Sequence, residues 1–189
     1  MTQKQRYNLK EAYGILVDAI RAMPKLKKEA AAGVLDQAFK ERIMLAVTEV
    51  NGCAMCSYAH TQMALEAGLS SEEISGLLTG IMHHVPEDEA AAILFAQHYA
   101  DSRGKPSPKA QAIIYQTYGK AKADAIMHAI HVIMAGNVYG IAFGSLKGRI
   151  THKGIDSRSS LGYEITLLLS LILYLPVGLV HALLTSKAS

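Results

Sequence analysis

The chain has 189 residues, 50% of them hydrophobic and 19% charged, with no tryptophan and a formal net charge of +3. That is enough apolar material for one compact domain, or for one domain with an appendage, and it implies more buried surface than a monomer of this size usually has. Lysine and arginine are scattered, with no basic stripe interleaved with aromatics, so nucleic acid is not an expected partner.

Helical periodicity dominates from the start. Leu9, Tyr13, Leu16, Ile20 and Met23 recur at three- or four-residue spacing and predict a helix that Pro24 ends. A second helix is predicted from about Ala31 to Val50, stopped by Asn51-Gly52. The cysteine-bearing segment then opens a third helix that closes near Gly68. Ser70 or Ser71, followed by Glu72 and Glu73, reads as the N-cap and acidic first turn of a fourth. Pro86 and the acids behind it announce a fifth. After the loop "SRGKPSP" comes a short helix ended by Gly119, and then a long apolar helix from Lys120 to Phe143. No alternating strand is evident, so the expected fold class is all-α, with a helical body over residues 1–143.

The remainder differs in character. Residues 144–164 are polar and rich in glycine and serine, and read as a linker. Residues 165–185 read as a hydrophobic C-terminal helix, with no Asp, Glu, Lys or Arg from Ile165 to Leu184. That stretch could just span a bilayer, with Arg158 and Lys187 as basic flanks. It could equally pack on the core or on a neighbouring subunit.

The third helix carries the chemistry. Both cysteines of the chain, Cys53 and Cys56, fall at its start, and His60 follows four residues later. Positions i, i+3 and i+7 share a helix face. Unpaired amides at a helix N-terminus stabilise a thiolate, and Cys-x-x-Cys pairing lowers its pKa further. Two cysteines do not make a secreted disulfide scaffold, and the N-terminus has no apolar signal-peptide core, so a cytoplasmic setting with reduced thiols is expected. A thiolate, a base and a resolving thiol are the parts of a redox centre. A carboxylate paired with His60 would complete a proton relay, and Glu41 and Glu49 are the upstream candidates.

Other readings of these residues stand beside that one. The pair could be inert buried packing. Cys53, Cys56 and His60 could instead hold zinc with His83, His84, His128 or His131. His128 and His131 otherwise read as hydrogen-bonded core or interface histidines, and His83-His84 as the end of a helix. Tyr115, Tyr118 and Tyr139 read as core, and Met55 and Tyr58 as pocket or packing residues.

The stretch "KERIMLAVTEVNGCAMCSYAHTQMALEAGLSSEEI" resembles the core of the carboxymuconolactone decarboxylase / alkyl hydroperoxidase D-like family, in its peroxidase-related branch. The match is E-x11-C-x-x-C-x-x-x-H at Glu41, Cys53, Cys56 and His60, and it extends over about Leu35 to Gly140. The resemblance implies that Cys53 and Cys56 form the redox pair, that His60 is the base beside Cys56, and that Glu41 orients or relays protons to His60. It implies reduction of a small organic hydroperoxide by an external dithiol, with no cofactor and no metal, in a homo-oligomer that is a trimer or hexamer. A non-peroxidase disulfide oxidoreductase, or a redox-sensing or ligand-binding member of the same fold, is the alternative. The best-known peroxidase members have histidine beside the second cysteine, where this chain has Met55.

Overall fold

The starts of the first, second, fourth and sixth helices follow caps written in the sequence. In the computed structural model, which describes residues 6–152 and 155–186, seven helices follow one another: α1 (Leu9–Ala31), α2 (Gln37–Asn51), α3 (Ala54–Glu66), α4 (Ser71–Thr79), α5 (Ala90–Asp101), α6 (Pro108–Thr151) and α7 (Leu161–Ser186). No strand occurs among the described residues. Asn8 and Glu11 form a reciprocal capping box on α1. Asp36, Ser70 and Ser107 each accept an N–H at the starts of α2, α4 and α6.

Several predicted boundaries move, and the fifth helix starts only at Ala90, leaving Pro86 and the acids behind it outside. Pro24 does not end the first helix, because α1 continues through it to Ala31. The proline removes one backbone donor, but contacts beyond it hold the turn that follows. Leu26 is buried in the core, and the Glu29 carboxylate bonds His128 on α6 at 2.9 Å. The second helix starts at Gln37 rather than near Ala31, because Gly33 turns into the left-handed region at φ 68° and Asp36 caps afresh.

Gly119 does separate two helical segments within α6, with φ 69° and ψ 167°. The second segment overruns its expected end at Phe143 and continues to Thr151, into the stretch read as a linker. Ala142, Ser145 and Gly148 keep a small, buried face toward the rest of the molecule, so the helix has reason to continue. Helix α7 also begins earlier than expected, at Leu161. The shortened connection is strapped down. Arg149 Nε donates to both oxygens of the buried Glu164, at 3.0 and 2.8 Å, and its Nη2 donates to Ser159 O at 3.2 Å. Lys187, read as a basic flank, lies outside the described residues.

The core centres on α2 and the second part of α6. Phe39, Ile43, Leu45, Ala46 and Val47 of α2 pack with Ile93 and Ala96 of α5 and with Ile126, Ile130 and Met134 of α6. On the α4 and α5 side of α2, Arg42 bonds both Glu73, at 2.5 Å, and Glu89, at 3.1 Å. Such mostly buried charges are tolerated because each is paired.

Two helices, α6 and α7, are long and apolar enough to cross a membrane. Most of the apolar stretch of α6 is buried inside the protein, as for a core helix, whereas little of that of α7 is. Helix α7 rests on α1 and α6 and leaves Ile172, Leu173, Leu183 and Leu184 exposed. Of the tyrosines read as core, Tyr118 and Tyr139 are partly buried against it, while Tyr115 is exposed and donates to Asp124 at 2.8 Å. His83 and His84 lie beyond the end of α4, which Gly80 closes. His131 packs 5.5 Å from the Tyr99 ring, and burial pushes its imidazole below the ordinary histidine pKa.

Candidate redox site

The site is built at the corner where α2 ends and α3 begins. Gly52 adopts the left-handed conformation that closes α2, at φ 68° and ψ 44°, and its N–H returns to Thr48 O at 2.8 Å. The chain then reverses, and Cys53 becomes the N-cap of α3. Its Sγ accepts the Cys56 N–H at 3.2 Å, the position a serine oxygen commonly takes. One turn of helix separates the two cysteines, and they are joined as a disulfide. Both are buried, Cys53 at 1% and Cys56 at 7% exposed, so Cys56 is the less buried residue of the two.

Helix α6 closes over the pair with glycine. A Cβ at Gly140 would lie 2.7 Å from Cys56 Sγ and 2.9 Å from Cys53 Sγ, closer than a side chain can approach. One turn earlier, the Gly136 carbonyl sits 3.6 Å from Cys56 Sγ, placed to accept from that thiol in its reduced form. One turn later, a Cβ at Gly144 would rest 3.6 Å from Met55 Cβ, in ordinary contact. Met55, where a histidine stands in the best-known peroxidases, therefore lies along this glycine row and is partly exposed.

Glu41 meets His60. Its Oε2 lies 2.7 Å from His60 Nδ1, and the carboxylate is fully buried. Its other oxygen accepts from Gln37 Nε2 at 2.8 Å and lies 3.5 Å from Lys40 Nζ. A carboxylate that accepts Nδ1–H fixes the imidazole tautomer, leaving Nε2 as the nitrogen that can exchange a proton. Glu49, the other candidate, is half-buried on the last turn of α2. Among the described residues no three His, Cys, Asp or Glu side chains gather as a metal-binding group: the cysteines join each other, His60 joins Glu41, and His128 joins Glu29.

Beside His60 opens a cavity of about 330 Å³ between α1, α2, α3 and α6. Its walls are mainly apolar, formed by Met23, Leu26, Met44, Met63, Val132 and Ile133. Glu41, His60, Gly136, Lys27 and Lys40 also line it, and Cys56 Sγ lies behind Gly136, 3.6 Å from its carbonyl oxygen. A larger hollow of about 360 Å³ lies elsewhere, lined by Tyr99, Arg103 and His131 among others; neither hollow is lined by a cysteine.

Several site residues escaped sequence reasoning. Gln37 and Lys40 complete the shell around Glu41. Gln37 stands four residues before Glu41 and Lys40 directly before it, a relation that matters only once Glu41 is known to point inward. Gly140 had a visible signal, since Gly136, Gly140 and Gly144 recur at four-residue spacing in an otherwise unbroken helical run. Arg158 had none. From the connection before α7, its Nη1 donates to Asn51 O at 3.0 Å and its Nη2 to Gly52 O at 3.1 Å, and Asp156 holds it at 2.5 Å. It thus covers the carbonyls at the end of α2, immediately before Cys53. Opposite it, Tyr7 OH donates to Asn51 Oδ1 at 2.6 Å, and Asn51 Nδ2 reaches Met134 Sδ at 3.4 Å.

A family model described as the carboxymuconolactone decarboxylase family matches residues 18–98. No curated protein and no solved structure matches the chain. The matched segment holds Glu41, Cys53, Cys56 and His60, whereas Gly136, Gly140 and Arg158 come from beyond it. The all-helical frame and the Cys-x-x-Cys pair at a helix start agree with that match: residues 18–98 of this chain are similar to the carboxymuconolactone decarboxylase family.

Proposed function

We propose that the protein reduces organic hydroperoxides through the Cys53–Cys56 pair, with His60 and Glu41 as its proton relay. One observation carries this reading: a buried carboxylate lies 2.7 Å from a histidine one helical turn beyond a Cys-x-x-Cys, and both face an apolar cavity. A structural Cys pair does not need a buried Glu–His couple beside it.

In the dithiol form, the Cys56 thiolate attacks the terminal oxygen of the O–O bond. The bond breaks, Cys56 becomes a sulfenic acid, and the departing alkoxide takes a proton to become the alcohol. His60 supplies that proton, and Glu41 holds the ring for the transfer. Cys53 then attacks the sulfenic sulfur, closing the disulfide and releasing water. An external dithiol returns the pair to its reduced state and leaves as a disulfide. The sum is one hydroperoxide and one dithiol converted to one alcohol, one water and one disulfide.

The asymmetry of the corner supports the order of attack. Cys56 is the less buried cysteine and is one turn from His60. When the external dithiol attacks Cys56, Cys53 departs as a thiolate that receives the Cys56 N–H at the α3 N-terminus. The test is hydroperoxide consumption by the full chain, with dithiothreitol as reductant. Wild type turns over cumene hydroperoxide and Cys56→Ser does not. Equal, slow consumption by the two proteins would sink the proposal.

A further inference from the structure

The cavity beside His60 carries information about which hydroperoxide fits. It is apolar along its length, yet its lining includes two lysines and one carboxylate. The charges do not cancel locally. Lys40 is engaged, since its Nζ donates to Gln37 Oε1 at 2.6 Å and lies 3.5 Å from Glu41 Oε1. Glu41 in turn is committed to Gln37, Lys40 and His60. Lys27, on the α1 wall, has no carboxylate partner among the described residues. The lining therefore offers His60, Gly136 with Cys56 Sγ behind it, apolar walls, and an ammonium whose charge nothing in the cavity answers.

We infer that the substrate is an amphipathic hydroperoxide bearing a carboxylate, seated with its chain against the methionine and leucine walls and its carboxylate on Lys27. This rests on the peroxidase reading above and narrows it. The apolar walls alone would accept a neutral hydroperoxide. A lysine beside such walls adds discrimination, because a carboxylate that reaches it forms a charge-assisted hydrogen bond at the edge of a partly dry site. Size sets the chain length. At about 30 Å³ per water-sized group, a volume of about 330 Å³ takes roughly ten such groups. Four of those groups are the oxygens of the carboxylate and the hydroperoxide, which leaves about six or seven carbons.

The test compares a hydroperoxyheptanoic acid with its methyl ester, at pH 7 and low salt, using the full chain and dithiothreitol. The two share chain, hydroperoxide and length, and differ in the charge. The expected result is a kcat/KM about tenfold higher for the acid, the size of one charge-assisted hydrogen bond, narrowing as salt rises. In Lys27→Met, which keeps most of the apolar stem, the acid-to-ester ratio should fall toward one, and Lys27→Arg should restore it. Turnover of acid and ester at equal kcat/KM by wild type overturns the carboxylate inference and leaves the peroxidase reading standing. A tenfold preference that survives Lys27→Met also overturns it, by placing recognition elsewhere. Turnover of neither compound, nor of cumene hydroperoxide, overturns the peroxidase reading itself.

Discussion

Gly140→Ala tests the closest approach in the redox corner. In a helix interior this exchange ordinarily stabilises by about 1 kcal/mol, because glycine loses more backbone freedom on folding. Here the new methyl would stand 2.7 Å from Cys56 Sγ and 2.9 Å from Cys53 Sγ, roughly 1 Å inside the ~3.5–4.0 Å optimum for nonbonded heavy atoms. The obstructing atoms are not the ends of long, flexible chains. Both sulfurs sit one bond beyond a Cβ at the start of α3, and both are buried. Relief requires α3 and α6 to separate, and overpacking of this kind costs about 1–3 kcal/mol. Less the helix gain, the net loss is at most about 2 kcal/mol, which for a chain of this size lowers Tm by at most about 8 °C. Gly144→Ala is the matched control, one turn away on the same helix. Its methyl would meet Met55 Cβ at 3.6 Å, an ordinary contact, so the helix gain should survive and stability should hold or rise slightly. Thermal and urea denaturation of the two variants decide the matter. If Gly140→Ala proves as stable as Gly144→Ala, the close approach imposes no constraint and the steric account of the glycine row is wrong.

Glu41→Gln keeps the shape of the side chain but removes the charge facing His60, and should lower peroxide turnover by about a hundredfold, the lower range for loss of general acid–base help; stopped-flow assays with saturating dithiothreitol measure it, and near-normal kcat would remove Glu41 from the relay. Cys53→Ser should still form a sulfenic acid at Cys56, detectable by a dimedone adduct in mass spectrometry, whereas a label found only in Cys56→Ser would reverse the order of attack. Arg158→Ala removes two hydrogen bonds to the Asn51 and Gly52 carbonyls and strands Asp156, and should cost about 1–3 kcal/mol by urea denaturation. Acid stability follows the same pair. The Arg158 hydrogen bond holds the Asp156 carboxyl below its ordinary pKa, and Arg103 does the same for Glu11. A depressed folded pKa gives stability that is present above the unfolded value and lost as pH falls through the folded one, so unfolding free energy should decline below about pH 4. Arg158→Met should flatten part of that decline, and an unchanged acid limb would show that Asp156 contributes nothing to it.

Much of the frame was legible because it is decided locally. Ser70 followed by two glutamates, and Gly52 after Asn51, act within a single turn, and the structure uses both as written. The face shared by Cys53, Cys56 and His60 follows from helical geometry once Gly52 stops the preceding helix. Pro24 misled because the local cost of a missing N–H was set against packing that local reasoning does not contain, namely Leu26 in the core and Glu29 on His128. The linker misled similarly. Glycine and serine in residues 144–151 suggest a flexible connection, but on α6 small side chains are what a close helix contact requires. Glu41 was found through the family spacing, since nothing in its own neighbours announces a buried carboxylate. Arg158 lies more than a hundred residues from the carbonyls it covers, and no periodicity or cap relates such distant positions.

That last contact ties a part of the chain inside the family match to a part beyond it. Arg158 stands outside the matched segment, yet it fastens the backbone on the residue that precedes Cys53. The same connection is anchored through Arg149 and Glu164 to the base of α7. A clasp of this kind works in both directions. If the turn at Gly52 differs between the dithiol and disulfide states, the change must be shared with the seating of α7, and whatever holds α7 in place shifts the redox equilibrium by the same free energy. The chain would then read out its own oxidation at its far end, through a surface that bears no catalytic group at all.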